Sequence, residues 1–226
     1  MAEVVVALDL ASGREAMGLV ERIPGLRWVK VGSVLMTREG PGLVRGLRAR
    51  GLEIFLDLKW HDIPNTVAGA VAVARDLDVR MATVHTLGGR QMMEAAARAA
   101  GAHLGLVGVT VLTSHDDRAY EMTMGRTGVN LKEEVTRHSR NAMEAGLRGV
   151  VCSPLEIGAV RAVVNEPGWI VVPGVRRVDD AAGDQMRIAG PRAATAAGAT
   201  HLVVGRPIYQ ASDPAGAFRA FVEAAR

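Results

Sequence analysis

The segment Asp57-Leu58-Lys59-Trp60-His61-Asp62-Ile63-Pro64-Asn65-Thr66 sets one amine between two carboxylates. Acidic neighbours favour the charged form of an ammonium, so Lys59 is expected to hold its proton. Such a group can stabilise negative charge as it forms on a substrate and then quench it by proton donation. The choice of cation matters, because the chain has only the lysines Lys30, Lys59 and Lys132, and every other basic side chain apart from histidine is arginine. Arginine stays protonated and is a poor donor, whereas an ammonium can give up its proton. For Lys132, chance occurrence is the default reading.

Asp9 and Lys30 end two other apolar runs, VVVALD and RWVKVG. If those runs are neighbouring parallel strands, Asp9, Lys30, Asp57, Lys59 and Asp62 gather in one arc of alternating sign. The same five charges could instead be an ion-pair network stiffening a rim. Their shared location at strand ends, with two of the three lysines among them, favours a site. A second pole is Val203-Val204-Gly205-Arg206-Pro207-Ile208, where a bare glycine amide and an arginine follow the last apolar run, as in barrel phosphate sites. Arg176 and Gln185 flank the preceding connection. Thr113 and Ser114 carry hydroxyls that could read the polar edge of a heterocycle. His61 and His85 lack a further ligand at metal spacing and are read as packing or supporting residues, so no metal site is expected. Cys152, the single cysteine, ends an apolar run and is read as core; it can form no intrachain disulfide.

Eight Val, Ile and Leu-rich runs recur, at 4–9, 27–32, 53–58, 80–85, 104–110, 149–153, 169–173 and 201–205, with helical stretches between them. Spread over 226 residues, that is about 28 residues per strand and helix, which predicts an α/β fold, a closed (β/α)8 TIM barrel forming one domain over 1–226. An open doubly wound sheet is the competitor, but LASGRE after the first run lacks its glycine fingerprint. Ser12 with Glu15 predicts a capping box, Pro64 and Ser153-Pro154 predict helix starts, and Asp213-Pro214 opens the last helix. The connections 111–129 and 174–189 are longest and follow strands, which makes both lid candidates at the catalytic face.

Composition excludes several classes. Hydrophobic residues are 49% and charged residues 23%, typical of a globular domain rather than a disordered chain. The pI near 9.5 rests on a formal charge of only +3 with scattered arginines, and aromatics are 4%, so a nucleic-acid platform is not expected. Apolar stretches are too short to cross a bilayer, and the N-terminus lacks the marks of a secretion signal. A cytoplasmic setting is the expectation.

At DLKWHDIPNT the chain closely resembles orotidine 5'-monophosphate decarboxylases, whose mark is D-x-K-x-x-D-I-P-x-T. The resemblance extends through VALD, VKVG, TVLTS, PGVR, Gln185 nine residues after Arg176, and VVGRPI, in the order of the bacterial branch. It implies that Lys59 protonates C6 of the pyrimidine as carbon dioxide leaves, with Asp57 facing the departing carboxylate. It further implies that Asp9 and Lys30 hold ribose hydroxyls, that Thr113 or Ser114 meets the pyrimidine, and that Arg176, Gln185, Gly205 and Arg206 grip the phosphate. Asp62, Ile63 and Thr66 would reach the neighbouring subunit's site in a homodimer, and no cofactor would be needed. A magnesium-dependent sugar-phosphate decarboxylase or aldolase shares D-x-K-x-x-D, but it carries an acidic ligand where Lys30 stands here. A non-catalytic phosphosugar-binding barrel is the alternative outside enzymes.

Overall fold

The computed structural model describes residues 1–176 and 189–226. The strands are β1 (Glu3–Ala7), β2 (Trp28–Gly32), β3 (Glu53–Trp60), β4 (Met81–His85), β5 (Gly105–Val109), β6 (Gly149–Val151), β7 (Trp169–Val172) and β8 (His201–Val204). Between and after them run α1 (Gly13–Glu21), α2 (Ser33–Glu39), α3 (Pro41–Arg48), α4 (Pro64–Asp76), α5 (Gly89–Ala100), α6 (Asp117–Met124), α7 (Leu131–Glu144), α8 (Ile157–Arg161), α9 (Pro191–Ala196), α10 (Arg206–Tyr209) and α11 (Pro214–Ala224). All neighbouring strands pair in parallel, and β1 closes on β8 from Glu3↔His201 to Val6↔Val204. The architecture is the (β/α)8 barrel expected from the eight apolar runs, each of which overlaps one strand, with ends that agree to within two residues.

Strand alternation explains both the core and the site. Val5, Trp28, Phe55, Met81, Val107, Val171 and Val203 fill the barrel interior, while Val6, Val29, Ile54 and Leu56 pack outward against the helices. Counting by twos along the inward positions leads from Val5 through Ala7 to Asp9, from Trp28 to Lys30, and from Phe55 to Asp57. The interior is therefore apolar below and charged at its C-terminal end, where barrels carry their chemistry. Cys152 is fully buried in the outer layer.

Helix starts follow the residues that satisfy orphan backbone donors. Asp213 accepts from the Gly216 amide, with Pro214 in the first turn, as expected. Ser12 caps α1 through the Glu15 amide at 3.3 Å, but the Glu15 carboxylate turns to the Ala11 amide, so the predicted reciprocal box is only half made. The full box is at Ser153 and Glu156. The 111–129 connection is not an open loop, because α6 occupies its middle, capped by Asp116 at the Ala119 amide. Among the described residues no helix is long and apolar enough to cross a membrane.

Candidate active site

A cavity of about 590 Å³ opens at the C-terminal ends of the strands. Asp9, Lys30, Asp57, Lys59, Thr113, Arg176, Gly205 and Arg206 all line it, as does Ser114. The charges alternate in contact: Lys30 Nζ is 2.9 Å from Asp9 Oδ1 and 3.5 Å from Asp57 Oδ2, and Lys59 Nζ is 2.9 Å from Asp57 Oδ1. Lys30 and Asp57 are the buried middle of this array, at 12% and 13% side-chain exposure, whereas Lys59 keeps 43%. Burial pushes the Asp57 carboxyl up, but the ammoniums of Lys30 and Lys59 outweigh it and leave the group below its ordinary value. Burial likewise pushes Lys30 down, and Asp57 and Asp9 more than offset that, leaving it raised. Both groups stay charged at neutral pH, and the more exposed ammonium of Lys59 faces the cavity.

Asp57 and Lys59 do not meet by simple strand alternation. The β3–β4 register shifts between Leu56 and Trp60, and Lys59 sits in the shift with φ 51°, a left-handed conformation rare for residues with a side chain. Its amide donates to Thr83 Oγ1 at 2.8 Å, and the Thr83 hydroxyl donates to Asp57 Oδ1 at 3.1 Å. Thr83 was invisible in the sequence, where a threonine in a strand carries no distinguishing signal. Tyr209 is a second unpredicted wall residue. Burial raises its phenol, and Asp9 adds to the effect.

Asp62 does not join the array. Beyond Trp60 the chain leaves the β3–β4 ladder, and Asp62 is exposed, its Oδ1 accepting from the Ile63 amide at 2.6 Å. Ile63, at 68% exposure, and Thr66 also stand outside the cavity. The five-charge arc within one chain is therefore an arc of four. Arg176 is buried at the cavity wall, where the Val175↔Ala189 bridge joins the ends of the 174–189 connection. Gln185 and most of that lid candidate lie outside the described residues. His61 and His85 stack at 5.4 Å and do not line the cavity; burial first, then His61, pushes His85 down to about 4. Past Thr113 and Ser114, α6 is joined to α7 and to Thr86: His138 bridges Thr86 and Tyr120, and Glu134 meets Tyr120 and Arg126. Among the described residues no group of three His, Cys, Asp or Glu side chains could hold a metal ion.

An ordered ammonium–carboxylate array in a cavity that two arginines also line can bind an anionic ligand and stabilise charge on it. Residues 2–221 match the family model described as orotidine 5'-phosphate decarboxylase / HUMPS family. The chain belongs to this family. Among relatives, the orotidine 5'-phosphate decarboxylase of Halorhodospira halophila is 52% identical over 217 residues, covering 94% of this chain and 91% of that one. That of Opitutus terrae is 45% identical over 223 residues, covering 96% and 95%. The crystal structure of orotidine 5'-phosphate decarboxylase from Lactobacillus acidophilus superposes over the full length of both chains with a TM-score of 0.88 at 33% identity. The family barrel accounts for the eightfold run pattern, and the charged array sits at the barrel end expected to carry function.

Proposed function

We propose that the chain decarboxylates orotidine 5'-monophosphate to uridine 5'-monophosphate, the closing step of pyrimidine nucleotide synthesis, with Lys59 as proton donor. The observation that carries this reading is the contact array Asp9–Lys30–Asp57–Lys59 lining a cavity that Arg176 and Arg206 also line. In the reaction the bond from C6 to the carboxylate carbon breaks, carbon dioxide leaves, and the electron pair remains on C6. An Nζ–H of Lys59 then transfers its proton to C6, and the neutral amine recovers a proton from solvent. The carbanion has no adjacent electron sink, so fixed positive charge at the reacting carbon is the stabilisation available. Asp57 faces the departing carboxylate, and Asp9 and Lys30 hold ribose hydroxyls. Thr113 or Ser114 meets the pyrimidine, and Gly205, Arg206, Arg176 and Gln185 grip the phosphate. Binding energy from that remote phosphate orients the ring and supports the chemical step.

Two copies of the chain complete each site in this reading. A second cavity shares Asp9, Lys30, Asp57 and Lys59 with the first and is bounded by Val34, which is 65% exposed. It gives a partner's Asp62, Ile63 and Thr66 a path to Lys59, and these three are exposed on their own chain. The magnesium-dependent alternative is disfavoured by charge, because the Lys30 ammonium already occupies the space between Asp9 and Asp57 that a divalent ion would need. The purified chain is expected to consume orotidine monophosphate, followed by loss of absorbance, at the same rate after chelator treatment. Inactivity toward this nucleotide would overturn the reading, and a loss restored only by magnesium would favour the sugar-phosphate chemistry.

A further inference from the structure

Alternation along β4 turns Met81 into the barrel interior, and Thr83, two residues on, turns with it. Thr83 itself is fully buried. A buried hydroxyl is costly unless its bonding capacity is used, and here both roles are used. It accepts from the Lys59 amide at 2.8 Å and donates to Asp57 Oδ1 at 3.1 Å. The same Oδ1 accepts from Lys59 Nζ at 2.9 Å. The backbone and the side-chain tip of Lys59 are thus tied to one carboxylate oxygen, one directly and one through Thr83.

This circuit stands where the sheet fails to hold Lys59. The ladder pairs Leu56 with Ala82, resumes at Trp60 with Val84, and leaves Lys59 inside the register shift. Its left-handed backbone is a conformation that persists only when the surroundings over-determine it. The hydroxyl supplies the acceptor that a regular ladder would have supplied with a carbonyl.

We propose that Thr83 is a positioning residue for the decarboxylation, its hydroxyl locking Lys59 and Asp57 into one geometry so that the ammonium meets C6 without prior reorganisation. This rests on the decarboxylase reading above. A group pre-set for the transition state acts on turnover rather than on ground-state binding, and Thr83 is remote from the phosphate pole. Thr83→Val keeps the shape and removes both hydrogen bonds. Its saturating turnover is expected to fall about 10- to 100-fold, as loss of a hydrogen bond to a charged group implies. Its KM and its affinity for uridine monophosphate are expected to stay within about threefold of wild type. Thr83→Ser restores the hydroxyl and is expected to recover turnover to within about threefold. A valine variant with wild-type turnover overturns the proposal, as does a serine variant as slow as the valine one, since side-chain volume would then be the cause. If the valine variant does not fold, Thr83→Ala replaces it, judged against serine in the same way. Wild-type turnover is measured first: an inactive wild type sinks the decarboxylase reading itself, whereas an active wild type with an unaffected valine variant sinks only the role of Thr83.

Discussion

Lys59→Ala is expected to lower saturating turnover by about ten-thousand-fold or more while uridine monophosphate binding remains measurable. Two losses multiply in this variant. A positioned general acid contributes about 100- to 10,000-fold. A preorganised charge at the developing anion contributes about 100- to 1,000-fold more. Binding survives because Arg176, Gly205 and Arg206, which line the same cavity from the ends of the last two strands, are untouched. The array also keeps Lys30 against Asp57, so the carboxylate is not left as a lone buried charge. Lys59→Arg separates the two contributions. It preserves positive charge but not a transferable proton, and it is expected to rescue little of the activity. Turnover within tenfold of wild type in the alanine variant, read by carbon dioxide release, would remove Lys59 from the chemistry.

The second large effect concerns Asp62. On its own chain this carboxylate is exposed and outside the cavity, held by the amide of the following residue. In the two-subunit reading it stands beside the partner's Lys59 and opposes Asp57 across the ammonium. Asp62→Ala alone is expected to reduce turnover by about 100-fold or more, the scale of a lost electrostatic partner in a preorganised site. Mixing it with inactive Lys59→Ala subunits reverses the expectation in an informative way. A heterodimer of the two variants has one site lacking both groups and one site with both intact. Random exchange makes half of the dimers heterodimers, so recovery to about a quarter of wild-type activity is expected. Activity of the exchanged mixture is measured after the heterodimer fraction is verified by mass spectrometry of differently tagged chains. No gain over the separate variants would return Asp62 to its own subunit or to no role at all.

The barrel was legible because its strands are buried on both faces and so read as continuous apolar runs, each broken by helix-terminating signals. Asp9, Lys30 and Asp57 were legible for the same reason: they are charges at the ends of those runs, and strand alternation carries them inward. The local path at Lys59 was not legible. Sequence spacing sets Lys59 beside Asp57, but their contact is made through the register shift and the φ of 51°, which depend on pairing with a strand more than twenty residues away. Thr83 is hidden by the same distance, because its importance comes from facing that shift. Tyr120, Glu134 and His138 are likewise brought together with Thr86 only by the packing of α6 and α7 on the barrel. Glu15 shows the limit of a motif at short range, where a carboxylate three residues from Ser12 reached the next amide back instead. Asp62 was assigned to the arc from proximity in sequence, and the departure of the chain from the ladder after Trp60 carried it away.

The most direct measurement is the location of one nitrogen in a crystal of the wild-type protein with uridine monophosphate bound. The account predicts Lys59 Nζ within about 3.5 Å of C6, still in contact with Asp57, and the phosphate held at Gly205 and Arg206. An ammonium turned away from the ring, with C6 facing only apolar side chains, would contradict it.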